Sequence, residues 1–241
     1  MTPKIKFYFS FRSPFAGIAF YRMRRLAIFN DFDVELLPVW PEIIFGGHMD
    51  NPTDNLFKLS YVFTDAARQA EEAGLHTGLL KAFAENLAIP SDVDFSAEKA
   101  GLKMPPENWR LTHHAFLYAL DQNKGWTFAD AVFNARFGFD GSLAKNVMEK
   151  DVLASIAESI NIDPTEMLAS CDAGTYDNVT SSMARLSEAD GVFGVPFFVF
   201  ESGEAKHVFW GNDRIASLCK VVTASNSLPQ FTASDLDVIQ R

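Results

Sequence analysis

Cysteine is scarce in this chain, with only Cys171 and Cys219 among 241 residues. Two cysteines are too few for a disulfide framework or a cysteine-based metal cluster, and we expect both to be small buried side chains on helices. The lack of structural disulfides is typical of a reducing compartment and indicates a cytoplasmic protein. The histidines show no metal-ligand spacing with carboxylates, so no metal is expected and no role is given to His48, His76, His113, His114 and His207.

Positive charge is also scarce, since 21 lysines and arginines stand against 31 acidic residues and the formal net charge is −10. A nucleic-acid-binding protein usually carries a basic patch, and none is evident, so we expect no nucleic-acid partner. The densest basic cluster is Arg22, Arg24 and Arg25. We expect these three side chains to form a solvated face of the first helix.

Long hydrophobic runs are missing too. No apolar segment approaches the roughly 20 residues that span a bilayer, so we expect no membrane partner. The first residues lead directly into a strand, without the charged and apolar regions of a signal peptide, and we expect no such leader.

Phenylalanine, by contrast, is abundant, and the chain is organised around residues 7–15, Phe-Tyr-Phe-Ser-Phe-Arg-Ser-Pro-Phe. The alternating aromatic residues predict a central strand that is covered on both faces. Ser13 and Pro14 then open a helix, because serine is a good N-cap and proline suits the first helical position. Ser13 should therefore lie at the carboxyl end of a strand and the positive end of a helix, where ligands and anions bind. Taken alone, this stretch favours the interpretation of Ser13 as a simple helix cap, because capping serines are common.

The remaining patterns follow in the order strand, helices, hairpin and helix. A second strand is predicted at 33–40, a loop at 41–54, and a hairpin within 197–210 that is followed by a last helix after 211–214. Helical periodicity fills the middle of the chain, at 56–73, 76–87, 106–122, 127–137, 151–160, 164–169 and 176–189. The predicted fold class is α/β, a thioredoxin-like sheet with a long all-helical insertion. The predicted domains are a discontinuous thioredoxin-like domain (1–52 and 190–224), the insertion (53–189) and a C-terminal tail (225–241).

Pro196 lies directly before a buried strand, where thioredoxin-like folds carry a cis-proline. We predict that the Val195–Pro196 bond is cis and faces Ser13. A cis bond there leaves the backbone of Val195 exposed, and its N–H and C=O can pair with an extended peptide ligand.

Three motifs in this order resemble the 2-hydroxychromene-2-carboxylate isomerases, relatives of the kappa-class glutathione transferases and of DsbA-type disulfide oxidoreductases. They are Phe-Tyr-Phe-x-Phe-x-Ser-Pro-Phe at 7–15, Gly-Val-Phe-Gly-Val-Pro at 191–196 and Phe-Trp-Gly-Asn-Asp-Arg at 209–214. The chain departs from the family at two places. The family often has Ser-Tyr where this chain has Ala16-Gly17, and an acidic residue at Ser10.

The resemblance implies glutathione as the cofactor. The disulfide oxidoreductases carry Cys-x-x-Cys at this helix start, whereas residues 13–16 are Ser-Pro-Phe-Ala, which excludes a dithiol mechanism there. Ser13 would be the catalytic residue and would hold the thiolate of glutathione by a hydrogen bond, assisted by the helix N-terminus.

The resemblance also implies the remaining glutathione contacts. The backbone of Val195, fixed by Pro196, would pair with the cysteinyl unit. Asn212 and Asp213 would hold the γ-glutamyl end, with Asp213 pairing with its ammonium group. The residues alone leave open that Asp213 is only an N-cap.

Substrate binding is implied for three residues. Asn51 matches an asparagine that the family places near substrate and thiol, although a turn residue before proline explains it nearly as well. Lys58 and Arg68 would attract a carboxylate, although charges on a helix surface are usually just solvated.

The implied function is a glutathione-dependent isomerase that acts on an aromatic-derived unsaturated carboxylate by reversible thiolate addition. One alternative is a kappa-like glutathione transferase, which leaves a conjugate. The other is a non-catalytic thioredoxin-fold binding protein. A small-molecule substrate and a homodimer are expected from the family.

Overall fold

The computed structural model describes residues 3–30, 32–40, 56–86 and 106–226. The helices and strands in these ranges are β1 (Lys4–Phe9), α1 (Pro14–Asn30), β2 (Asp33–Pro38), α2 (Leu56–Glu72), α3 (Gly78–Asn86), α4 (Pro106–Asp121), α5 (Gly125–Phe137), α6 (Lys150–Ser159), α7 (Pro164–Asp172), α8 (Asp177–Asp190), β3 (Phe197–Ser202), β4 (Ala205–Trp210) and α9 (Ile215–Asn226). A short 3-10 helix, Asn212–Arg214, precedes α9. None of the helices in the described ranges is long and apolar enough to cross a bilayer.

The four strands form one mixed sheet in the order β2-β1-β3-β4. Strand β1 is parallel to β2 and antiparallel to β3, and β4 is antiparallel to β3. The insertion of helices α2 to α8 separates β2 from β3 in sequence. This is the predicted α/β architecture, with β1 in the interior of the sheet.

Aromatic rings join the sheet to the insertion on one face. The ring of Phe9 in β1 lies 5.2 Å from that of Phe116 in α4 and 6.1 Å from that of Phe133 in α5, between centroids. All three side chains are fully buried and belong to one hydrophobic cluster. The core therefore runs across the predicted boundary between sheet and insertion, and the division into domains stays a prediction.

The opposite face of the sheet is covered by α8. Tyr8 lies in a second buried cluster, against which Met183 and Leu186 of that helix pack. The hydroxyl of Tyr8 donates a 2.6 Å hydrogen bond to Asp190 at the end of α8, and Lys6 Nζ lies 3.0 Å from the same carboxylate. Both faces of β1 are thus covered, as the aromatic pattern predicted.

Close packing of α1 against aromatic rings explains one departure from the family. A Cβ atom at Gly17 would come within 2.7 Å of the ring of Phe139 and 3.0 Å of that of Phe133. A tyrosine at this position, as the family often has, would not fit without displacing these rings. Glycine at position 17 therefore allows α1 to pack closely against the aromatic rings of the insertion.

Candidate thiol-binding site

The turn between β1 and α1 presents Ser13. The N–H of Ser13 donates to the carbonyl oxygen of Ser10 at 3.1 Å, and the N–H of Gly17 donates to the carbonyl oxygen of Ser13 at 3.2 Å. Pro14 is the first helical residue, and the side chain of Ser13 is half-buried. Ser13 thus lies where the sequence predicted, between the end of a central strand and the start of a 17-residue helix.

The hydroxyl of Ser13 can both cap the helix and bind a ligand. Its Oγ accepts a 3.2 Å hydrogen bond from the N–H of Ala16, which is the capping interaction. That bond uses a lone pair of the oxygen and leaves the hydroxyl proton to be donated. The first turn of α1 contains no acidic residue that would neutralise the positive end of the helix. The two interpretations of Ser13 are therefore compatible.

The Val195–Pro196 bond is cis, as predicted. In the β1–β3 ladder Tyr8 pairs with Phe197, so one further step along each strand places Pro196 opposite Phe9. The start of β3 and the end of β1 are therefore at the same end of the sheet, which is the end that carries Ser13. The carbonyl oxygen of Pro196 accepts a 3.0 Å hydrogen bond from the N–H of Gly211 and ties the segment after β4 to this region.

Arg22 corrects one expectation, because it is buried rather than part of a solvated face. Its Nη1 donates to the side-chain oxygen Oδ1 of Asn212, and lies 3.3 Å from the Asn212 carbonyl oxygen. Burial lowers the pKa of the Arg22 guanidinium from its usual value. Arg22 follows Ile18 by four residues and so lies on the apolar face of α1, and this spacing could have predicted its burial. Asn212 is consequently buried and oriented by α1, while its role as a glutathione ligand stays a prediction.

Asp213 is not an N-cap, which removes that alternative. The cap position of the 3-10 helix belongs to Gly211, whose φ of 107° lies in the left-handed region that favours glycine. Asp213 lies in the first turn, with 55% of its side chain exposed, and pairs with Nε of Arg214 at 3.3 Å. Its carboxylate therefore remains accessible to a ligand.

The predicted substrate residues are not brought into one described cluster. Arg68 lies on the exposed surface of α2 and pairs with Asp65, with Nη1 and Oδ1 separated by 3.2 Å. Lys58 is also exposed on α2. Asn51 lies outside the described residues. The substrate-binding role of all three stays a prediction.

His113 was given no role in the sequence, yet it contacts the turn before Ser13. This fully buried side chain lies in α4, with Nδ1 2.7 Å from the carbonyl oxygen of Trp109. Its Nε2 accepts a 3.3 Å hydrogen bond from the N–H of Phe11 and lies 3.4 Å from Oγ of Ser10. Burial lowers the pKa of His113 to about 3, so the ring is neutral near neutral pH. Trp109, His113 and Phe116 are spaced by four and three residues, which places all three on the buried face of α4. This spacing indicates that His113 is buried, but the histidines in the sequence were considered only as metal ligands.

Two arginines add positive charge at this end of the molecule. The guanidinium of Arg136 lies over the ring of Trp109 at 5.4 Å and over that of Phe137 at 5.6 Å. Burial, and then the charge of Arg12, lower the pKa of Arg136 to about 10. Arg12 directly precedes Ser13 in the chain, so its charge and that of Arg136 reinforce the positive potential of the α1 N-terminus.

The thiols of the protein itself lie elsewhere. Cys171 in α7 and Cys219 in α9 are both free and buried, as predicted. Burial raises their pKa to about 11 and about 12, respectively, which keeps them as unreactive thiols. In the described part of the chain, no group of three or more His, Cys, Asp or Glu residues could hold a metal ion.

The buried histidines of α4 predict a pH-dependent stability. Burial lowers the pKa of His113 to about 3 and that of His114 to about 4, both below the ordinary histidine value near 6.5. At a pH between the lowered pKa of the folded chain and the ordinary value near 6.5, each histidine is protonated in the unfolded chain but not in the folded chain. The free energy of unfolding therefore falls as the pH is lowered through this range. We expect a slope of up to about 1.4 kcal/mol per pH unit from each histidine.

Urea unfolding at a series of pH values from neutral to mildly acidic measures this slope. Because carboxylates add a slope of the same sign at lower pH, the His113→Gln variant is the reference. Its stability should fall less than that of the wild type on acidification. Parallel curves for the two proteins would contradict the expectation.

Comparisons with known proteins agree with the fold described above. The model of the DSBA-like thioredoxin domain family matches residues 4–222. Among solved structures the chain is similar to 2-hydroxychromene-2-carboxylate isomerase, with a TM-score of 0.63, 19% identity, and coverage of 93% of this chain and 98% of that one. It is also similar to the cytosolic disulfide reductase DsbM from Pseudomonas aeruginosa with GSH, with a TM-score of 0.56, 16% identity, and coverage of 86% and 89%. A comparison with curated protein sequences finds no match. These results confirm the predicted thioredoxin-like fold.

Proposed function

Because the chain belongs to the DSBA-like thioredoxin domain family, we propose that it is a glutathione-dependent isomerase acting on an aromatic-derived unsaturated carboxylate. The observation that carries the proposal is the hydroxyl of Ser13, which caps α1 through its oxygen and keeps its proton for a ligand. Two similar structures support it, one an isomerase by name and the other a disulfide reductase solved with GSH.

The site has the physical means to activate a bound thiol. A helix N-terminus favours an adjacent negative charge by roughly 0.3–1 kcal/mol, and by up to about 2 kcal/mol when the charge is partly buried. One pKa unit corresponds to about 1.4 kcal/mol, so the helix end lowers the thiol pKa by about 0.2–0.7 unit, and by up to about 1.4 units when the thiolate is partly buried. A hydrogen bond from Ser13 to the thiolate lowers it further. A thiol with an ordinary pKa of about 8.5 then becomes a nucleophile near neutral pH without a general base.

The proposed reaction is a reversible addition. The thiolate sulfur donates an electron pair to the conjugated double bond, a C–S bond forms, and the former double-bond pair moves onto the conjugated carbonyl oxygen. Rotation occurs about the resulting single bond. The oxygen then returns the pair, the double bond forms again, and the C–S bond breaks to release glutathione thiolate. Glutathione is regenerated and is therefore a cofactor.

The remaining contacts follow the resemblance. The Val195 backbone beside Pro196 pairs with the cysteinyl unit, and Asn212, oriented by Arg22, lies with Asp213 at the γ-glutamyl end. The substrate is a small molecule, and we propose the cytoplasm as its location because glutathione is kept reduced there. A homodimer stays an expectation from the family.

A glutathione transferase would use the same thiolate without expelling it, and Ser13 serves both reactions. The amount of free glutathione after many turnovers separates them, since an isomerase returns all of it and a transferase consumes one molecule per turnover. A non-catalytic binding protein would bind glutathione and turn over no electrophile.

Asp213→Asn tests the orientation of glutathione. Removing the carboxylate charge should weaken glutathione binding by about threefold to tenfold, as for one partly exposed ion pair. A glutathione analogue that lacks the γ-glutamyl amino group should bind the wild type and the variant equally, because it has no ammonium to pair. Calorimetric titration of both ligands measures the four affinities.

The matched control is Asp172→Asn, which removes an exposed, ion-paired aspartate from α7. It should leave the affinity for glutathione unchanged. An equal loss of affinity for the two ligands in Asp213→Asn would refute an ammonium contact at Asp213.

A further inference from the structure

We infer that His113 is a positioning residue for the thiol site, acting through the turn that presents Ser13. The inference rests on the proposed thiol site at Ser13 and goes beyond it, because no feature of the family motifs points to a residue of α4. His113 is separated from Phe11 by 102 positions in sequence, yet it makes a direct hydrogen bond to the N–H of that residue.

The hydrogen-bond geometry fixes which ring nitrogen carries the proton. Nδ1 lies 2.7 Å from the Trp109 carbonyl oxygen, which is an acceptor only, so Nδ1 carries the proton and donates it. Nε2 therefore keeps its lone pair and accepts from the N–H of Phe11. The hydroxyl of Ser10, 3.4 Å away, can donate to the same lone pair.

Aromatic rings hold the imidazole in place. Its centroid lies 4.8 Å from that of Trp40, 5.2 Å from that of Phe11 and 6.2 Å from that of Trp109. The side chain has no solvent exposure. A neutral ring that is enclosed in this way gives the turn a rigid acceptor on the side opposite to solvent.

Ser10 transmits this constraint to Ser13. Its Oγ accepts from the N–H of Arg12 at 3.3 Å, and its carbonyl oxygen accepts from the N–H of Ser13 at 3.1 Å. His113 thus anchors the first residues of the turn, while Ser10 links them to Arg12 and Ser13. Since the influence of a helix end falls off within its first turn, a small displacement of residue 13 changes the stabilisation of a thiolate there.

The test uses a thiol placed at position 13 as a reporter, so that it does not depend on glutathione. In Ser13→Cys, the pH dependence of alkylation by iodoacetamide gives the pKa of that thiol. Cys171 and Cys219 do not interfere, because burial raises their pKa to about 11 and about 12. The pKa is then measured after adding His113→Asn, which can still donate to Trp109 but no longer reaches Phe11.

We expect His113→Asn to raise the pKa of the reporter thiol by about 0.5–1 unit. His113→Gln, whose longer side chain can again accept from Phe11, should restore part of the shift. The matched control is His114→Asn, because His114 is equally buried on the same helix but bonds to Thr180 of α8 at 3.2 Å. It should cost stability and leave the reporter pKa unchanged.

An unchanged reporter pKa in His113→Asn, or an equal shift in His114→Asn, would overturn the inference. If His113→Asn does not fold, Ser10→Ala decides the question, because it removes the hydroxyl that joins His113 to Arg12 and should raise the reporter pKa too. Calorimetry of the wild type with glutathione is run in parallel. Its failure would refute the proposed function, whereas the reporter pKa judges His113 separately.

Discussion

Replacing Ser13 with alanine is expected to leave the protein folded and to lower glutathione-dependent turnover by about a hundredfold or more. The magnitude follows from the loss of one positioned hydrogen-bond donor to a negatively charged atom of the reaction. The helix N-terminus and the nearby arginines remain, so thiolate stabilisation should not vanish entirely. Initial rates at saturating glutathione measure the effect.

Loss of the helix cap alone does not account for this expected result. Removing a capping side chain costs about 1 kcal/mol, which a folded protein tolerates. Asp163→Ala provides the control, because Asp163 caps α7 by accepting from the N–H groups of Thr165 and Glu166. Both variants should lose similar stability, but only Ser13→Ala should lose turnover. Near-normal turnover in Ser13→Ala would remove the role assigned to this hydroxyl.

Replacing Ser13 with cysteine is expected to trap one glutathione as a lasting mixed disulfide. The thiolate at position 13 attacks glutathione disulfide, a new S–S bond forms, and one glutathione leaves as thiolate. The helix N-terminus favours the attacking thiolate. Position 16 is alanine, so the turn provides no second thiol to release the adduct. Intact-protein mass spectrometry should show one glutathione adduct at residue 13 until an external reductant is added.

The other thiols of the protein provide an internal comparison. Cys171 and Cys219 are buried and should stay unmodified. Adding Ala16→Cys to Ser13→Cys should restore a resolving thiol, release glutathione and leave a disulfide within the turn. A thiol at position 13 that reacts no faster than Cys171 and Cys219 would disprove an exposed, electropositive site there.

Local patterns made much of the fold and the thiol site predictable. The alternating aromatic residues of β1, the apolar stripes of the helices and the Ser13-Pro14 helix start are each encoded within a few consecutive residues. The cis bond before Pro196 was predicted from more than local residues, because it rests on the position that a cis-proline has in thioredoxin-like folds. The resemblance of three motifs, in the same order, to a known family then showed how these segments combine into one fold.

The residues that support the site were missed because their partners are remote in sequence. Arg22 bonds to Asn212, which is 190 positions away, and only the packed fold shows that it is buried. His113, in the insertion, bonds to Phe11 in the turn after β1, which is 102 positions away, and the charge of Arg12 lowers the pKa of Arg136 in α5. A polar residue on an apolar stripe indicates burial, but its partner emerges only from tertiary structure.

The most direct test of the central claim is the pKa of the glutathione thiol when it is bound to the wild-type protein. Ultraviolet thiolate absorbance, followed against pH with the protein in excess, gives this value. We predict a pKa at least about one unit below the ordinary thiol value near 8.5, and a shift toward that value in Ser13→Ala. Glutathione that binds with an unshifted thiol pKa, or that does not bind, would contradict the assignment of a thiolate site at Ser13.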